Sequence, residues 1–147
     1  MEELRIGQVE GDEIYSFGRV TDLTVGKDGS IFTADINPTS LRKYDAEGRF
    51  VRVIGRVGEG PGEYRRLTAI ALLPNDNIAV RDDGLGRVTI YNPQGEYQSS
   101  LEVRTGYSAA DIFRIDELGN FLVKARARPV QLGVFELDRP MVWIRIK

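Results

Sequence analysis

The chain of 147 residues contains no cysteine and no histidine. Without cysteine there is no disulfide and no thiolate nucleophile, and the redox compartment leaves no mark on the sequence. Without histidine the chain lacks the commonest general base near neutral pH and the commonest metal ligand. Ser–His–Asp and Cys–His catalysis are thereby excluded, so an enzyme here would work with carboxylates, Tyr, Lys or Arg. No run approaches the ~18 apolar residues of a membrane-spanning helix. No basic block marks a nucleic-acid site, because 20 Lys and Arg are interspersed with 22 Asp and Glu for a net charge of −2. Met1-Glu2-Glu3-Leu4 lacks the basic stretch and apolar core of a signal peptide. A soluble chain is expected: cytoplasmic, or periplasmic or extracellular if an export signal has been removed.

What is present is an ordinary globular balance, 41% hydrophobic and 29% charged, in one domain spanning 1–147. The organising feature is a repeat. Thr21–Ile54 aligns with Thr68–Leu101 without a gap at an offset of 47 residues. Thr21/Thr68, Ile31/Ile78, Asp35/Asp82, Tyr44/Tyr91 and Gly48/Gly95 are identical. Leu23/Ile70, Val25/Leu72, Leu41/Val88, Phe50/Tyr97 and Ile54/Leu101 are apolar in both copies. Turn compositions also coincide: Asp28-Gly29 over Asn75-Asp76, and Asp45–Gly48 over Asn92–Gly95.

Each copy predicts four short strands, because Val, Ile, Phe and Tyr runs alternate with Gly, Pro, Asn and Asp. In the first they are Asp22–Val25, Ile31–Ala34, Leu41–Tyr44 and Phe50–Ile54; in the second, Ala69–Leu73, Ile78–Arg81, Arg87–Tyr91 and Tyr97–Val103. A third, fainter copy places strands at Asp111–Ile115, Phe121–Ala125, Leu132–Leu137 and Met141–Ile146. At the start, Arg5–Val9 resembles Val53–Val57, the end of a fourth strand, so an outer strand at Leu4–Gln8 precedes three blades at 19–55, 67–103 and 109–147. Four strands at a period near 45 residues is the signature of a β-propeller blade, and three blades amount to half of a six-bladed ring. The expected fold is all-β, with three four-stranded antiparallel blades.

The linker Ile54–Tyr64, with Gly58, Gly60, Pro61 and Gly62, resembles the Gly-x-Gly-Pro-Gly-x-Phe connection of bacterial six-bladed propellers with NHL-like repeats. Ile78-Ala79-Val80 followed by Asp82, Arg87–Tyr91 and Asn92–Gly95 resemble the second strand, third strand and turn of that family. The likeness is good over Ile54–Leu101, moderate over Arg19–Gly55 and poor after Tyr107. Leu85-Gly86 stands where the family often has Asn-His, and Gly11-Asp12-Glu13 replaces the Gly-Pro-Gly linker before the first blade. The resemblance implies a propeller and no particular activity, since the family includes enzymes, sensors and scaffolds.

The Gly-rich linker is no phosphate cradle, because Glu63-Tyr64-Arg65-Arg66 follows it in place of Lys-Ser/Thr. Gly58, Gly60, Pro61 and Gly62 are expected to make a tight connection between blades. Asp35 and Asp82 recur at the repeat interval, which suits acceptors for loop N–H groups better than catalysis. With Asp22, Asp83 and Asp111 they are also the acids a Ca²⁺ site would draw on. Arg81, Asp82, Asp83, Arg87, Lys124, Arg126 and Arg128 make a candidate ligand face for a peptide, a protein or a small anion. Lys124, Arg126 and Arg128 alternate and so point one way on an extended strand. Pairing within the protein is their plainer use. Tyr15, Phe17, Tyr64, Tyr97, Tyr107 and Trp143 are expected chiefly in packing.

The expected function is a non-catalytic binding or interaction scaffold without cofactor or metal, completed by a homodimer that closes a six-bladed ring. Two other readings stand beside it. One is a Ca²⁺-dependent propeller hydrolase or lactonase. The other is an excised or engineered half-propeller that only self-assembles.

Overall fold

The computed structural model describes residues 4–103, 113–118, 120–124 and 141–145. The first sheet comprises β1 (Val20–Val25), β2 (Ile31–Ile36), β3 (Thr39–Tyr44) and β4 (Phe50–Ile54), hydrogen-bonded in chain order. A short parallel pair follows, β5 (Arg56–Val57) with β6 (Glu63–Tyr64). The second sheet is β7 (Leu67–Leu72), β8 (Ile78–Asp82), β9 (Arg87–Tyr91) and β10 (Tyr97–Glu102), again in chain order. Both are antiparallel throughout. They repeat down to irregularities, since the inner strand slips register at Val20/Asp22 in one and Leu67/Ala69 in the other. A third sheet holds β11 (Phe113–Ile115), β12 (Asn120–Lys124) and β13 (Met141–Arg145). Each four-stranded sheet is a blade. Among the described residues no helix is long and apolar enough to cross a membrane.

Two expectations need correction. Met141–Ile146 was expected as a fourth strand, but β13 pairs directly with β12, from Asn120↔Arg145 to Lys124↔Met141. It therefore takes third place in its sheet, because two apolar runs of equal length pair edge to edge. Leu132–Leu137, expected as the third strand, lies outside the described residues, as do Tyr107 and Asp111. Leu4–Gln8, expected as an outer strand, is not a strand. It joins no ladder among the described residues, and Gln8 instead donates its N–H to the Tyr15 carbonyl at 2.9 Å. A short 3-10 turn, Glu13–Tyr15, follows, capped by Asp12, whose Oδ1 accepts from Ile14 N–H.

The core is two seams between blades. In the first, Phe32, Ala34, Leu41 and Ile54 of blade one pack with Tyr64 of the linker and with Leu67, Ile70, Ile78, Val80 and Tyr91 of blade two. In the second, Ala69, Ala79, Val88, Ile90 and Val103 of blade two meet Ile115 of blade three. Blade two is buried on both faces because residues alternate sides along a strand. Its β8 is buried along its whole length.

Candidate functional site

The repeat supplies an internal control for the surface. Leu67 is 0% and Ile70 4% exposed, and Leu72 is half-buried, all under blade one. Their equivalents on blade one, Val20, Leu23 and Val25, are 42%, 59% and 56% exposed. Backbone partners follow the same rule. Ile70 donates its N–H to Asp22 Oδ2 of blade one at 2.9 Å, and Thr21 Oγ1 donates to the Leu67 carbonyl at 2.9 Å. The equivalent Leu23 N–H turns to Asp22 Oδ1 of its own strand. Val53, exposed on β4, pairs with Arg42 and so shares the face opposite the first seam. Blade one thus presents an apolar inner strand with no blade over it among the described residues.

The outer half of the same face is covered by the N-terminal segment, which behaves as a blade linker. A Cβ on Gly48 would stand 3.0 Å from Ile6 Cγ1, and one on Gly95 3.1 Å from Ile54 Cγ1, so Ile6 seats on blade one as Ile54 seats on blade two. Tyr44 donates its hydroxyl to the Ile14 carbonyl at 2.7 Å, as Tyr91 does to the Gly62 carbonyl at 3.1 Å. Arg42 Nη1 reaches the Ser16 carbonyl at 2.6 Å and its guanidinium lies over the Phe17 ring.

The candidate polar face proves to be largely internal bracing. Asp82 accepts from the N–H groups of Arg65, Arg66, Gly84 and Leu85 at 2.7–3.1 Å. Asp35 accepts from Gly18, Arg19 and Asn37 at 2.8–2.9 Å, so the same clasp closes both blades between the end of the second strand and the entry to the first. Arg87 Nη2 donates to the Gly60 and Glu63 carbonyls of the linker. Gly60 N–H donates to Glu63 Oε2, and that bond together with Arg56 holds the Glu63 carboxyl below the usual carboxylate range. Gly55 and Gly62, at φ of 67° and 71°, bring their backbones together: a Cβ on Gly55 would meet the Gly62 carbonyl at 2.7 Å. Gly58 and Pro61 complete this connection in sequence. Burial pushes the Tyr64 and Tyr91 phenols above their ordinary pKa.

Arg81 and Asp83 form a buried ion pair, Nε to Oδ1 at 2.7 Å, where blade one has Ala34 and Ile36. Nothing in the recurrence of the blades could have foretold this pair, since it breaks the repeat. Lys124 closes β12, whereas Arg126 and Arg128 lie outside the described residues; of the other residues of that candidate face, Arg81 pairs with Asp83, Asp82 closes the clasp and Arg87 turns to the linker. Among the described residues no three acids are grouped to hold a metal ion, and the Asp22, Asp35 and Asp82 carboxylates are each engaged with backbone N–H groups.

No curated protein matches the chain by sequence. Among solved structures it resembles a Bacteroides fragilis protein described as exported, at 22% identity and a TM-score of 0.69, over 85% of this chain and 35% of that one. It also resembles the WD40 β-propeller domain of Doa1, at 21% identity and a TM-score of 0.52, over 72% of this chain and 33% of that one. A third likeness is to a catalytically inactive virginiamycin B lyase from Staphylococcus aureus with quinupristin, at 12% identity and a TM-score of 0.57, over 76% and 37%. At such identities these likenesses carry the fold alone. The chain spans about a third of the length of each. A family model described as "6-bladed beta-propeller" matches residues 10–121. With blades that repeat in register and a match over most of its length, the chain belongs to that family of six-bladed β-propellers.

Proposed function

We propose that this chain is a non-catalytic interaction scaffold of NHL-like blades, and that a second copy covers the bare face of blade one to complete the ring. The observation that carries the reading is the contrast between Val20, Leu23 and Val25 and their covered equivalents. Covering that inner strand would stabilise the assembly by roughly 1–2 kcal/mol for each half-exposed side chain. Three blades supply half of a six-bladed ring, so two copies about a two-fold axis suffice. The NHL assignment is supported by the Gly58-to-Gly62 linker and by the Asp35 and Asp82 clasps at the repeat interval. The non-catalytic assignment is supported by the lack of histidine and cysteine and by the engagement of the Asp22, Asp35 and Asp82 carboxylates with N–H groups.

Sedimentation velocity of Leu23→Glu against the wild type tests the scaffold reading. Dissociation of the variant, with an unchanged circular dichroism spectrum, is the expected result. Identical sedimentation of the two would contradict it. A thermal-shift titration with Ca²⁺ tests the hydrolase reading: a saturable rise in Tm that Asp22→Asn abolishes would replace the scaffold with a metal site.

A further inference from the structure

Two grooves lie on the ring face that carries the first-to-second and third-to-fourth strand turns, one at each seam. They occupy equivalent places and differ in size: about 210 Å³ between blades one and two, about 410 Å³ between blades two and three. The difference has an identifiable cause. At the first seam three cations reach across from blade one to the turns of blade two. Lys27 Nζ bonds the Pro74 carbonyl at 3.1 Å and pairs with Asp76 at 3.2 Å. Lys43 Nζ reaches the Pro93 carbonyl at 3.4 Å and lies over the Phe32 ring. Arg52 Nη1 donates to the Gln94 carbonyl. One repeat later the same three positions are Pro74, Ile90 and Ser99, and all three line the larger groove. All three cations of the first seam are replaced by neutral residues at the second.

The groove thus opened has a floor of Leu73 and Ile90 and polar walls of Asn77, Ser99 and Glu117. Asn75 and Gln98 also line it, but each is engaged locally: Asn75 Oδ1 accepts from Asn77 N–H, and Gln98 Nε2 donates to the Glu96 and Tyr97 carbonyls. Among the described residues the side chains of Asn77, Ser99 and Glu117 make no hydrogen bond. Among the described residues no cation lines the groove, which argues against an anionic ligand. An amide and a hydroxyl each both donate and accept, the pattern that matches a ligand built of hydroxyl groups, and the carboxylate adds a strong acceptor. The volume lies within the usual ~300–1,000 Å³ of small-molecule sites.

We infer that the groove between blades two and three binds a neutral, polyhydroxylated ligand, such as the end of a sugar chain. The floor takes the C–H face of a ring while Asn77, Ser99 and Glu117 bond its hydroxyls. The full chain is titrated with maltotriose, cellotriose and chitotriose, and with glucuronate as an anionic control, by two-dimensional NMR of the backbone amides. Shifts at Asn77 and Ser99 are expected for at least one neutral sugar, with glucuronate at least tenfold weaker. Ser99→Arg, which restores one clamp at an exposed edge, should weaken that sugar at least tenfold while leaving the rest of the spectrum in place. Pro74→Lys should act in the same direction. The inference is overturned if no neutral sugar shifts these amides at millimolar concentration, if glucuronate binds best, or if both variants bind as the wild type does.

Discussion

Blades one and two carry the same architecture under different cover. Their strands superpose in register, their second-strand aspartates close the same clasp, and their tyrosines anchor the same kind of linker. Yet Ile70 is enclosed and Leu23 is open to solvent. An identical local fold can therefore be internally complete in one repeat and unfinished in the next. Blade folding is settled within each repeat by turns, clasps and alternation, whereas burial is settled between repeats, as in other quasi-one-dimensional proteins.

Substitutions at paired positions can break this contrast, and the largest effect is expected from the core. Ile70→Ala should cost about 2–4 kcal/mol, since it leaves a cavity in the first seam. Leu23→Ala, in dilute solution where copies are apart, should stay within about 0.5 kcal/mol of the wild type. Urea unfolding followed by circular dichroism measures both, and equal costs would dissolve the distinction between the two blades. The clasps come next. Asp82→Ala strands four N–H donors and Asp35→Ala three, so each should cost about 2–3 kcal/mol, Asp82 the more. A cost below that of an exposed Asp28→Ala control would remove the clasp from the account.

A pH dependence follows from the buried phenols. Tyr64 and Tyr91 have their folded pKa raised by burial, so below the ordinary value of ~10 both states are protonated and these two phenols add no pH dependence. Above about pH 10 the unfolded chain releases these protons and the folded chain retains them, so stability must fall with rising pH. Urea midpoints from pH 7 to 11 should show that fall, and Tyr91→Phe should reduce it while costing about 1 kcal/mol at pH 7 through the lost bond to the Gly62 carbonyl. The smallest effect is expected at the turns. Asp76 has φ of 64° at the position of Gly29 in blade one, so Asp76→Gly should raise stability by less than ~1 kcal/mol. A loss of stability would mean that the exposed Lys27–Asp76 pair outweighs the turn.

Much of the fold could be read from residue types, and the reasons are local. β4 and β9 fall on the expected Phe50–Ile54 and Arg87–Tyr91, because each is an apolar alternation framed by turn residues. Inner strands begin earlier than expected, at Val20 and Leu67, since the register slip at Thr21 and Thr68 interrupts the alternation that marks a strand. Leu4–Gln8 has the sequence of a strand end but pairs with no strand among the described residues, and pairing is not encoded in one strand alone. The place of Met141–Arg145 beside β12 likewise depends on a partner more than twelve residues away. The candidate polar face was visible as charges, but their orientation was not: Arg81 and Asp83 turn toward each other, and Arg87 turns into the linker. The larger groove went unforeseen, although its signal was present in the change from Lys27, Lys43 and Arg52 to Pro74, Ile90 and Ser99.

The central claim is that the bare inner strand of blade one is covered by a second copy. Light scattering on the eluting wild-type chain tests it most directly. A mass near twice the 16.5 kDa of the chain, falling to the single-chain value in Leu23→Glu, is the predicted result. A wild-type chain that elutes at the single-chain mass across the concentration range would contradict it.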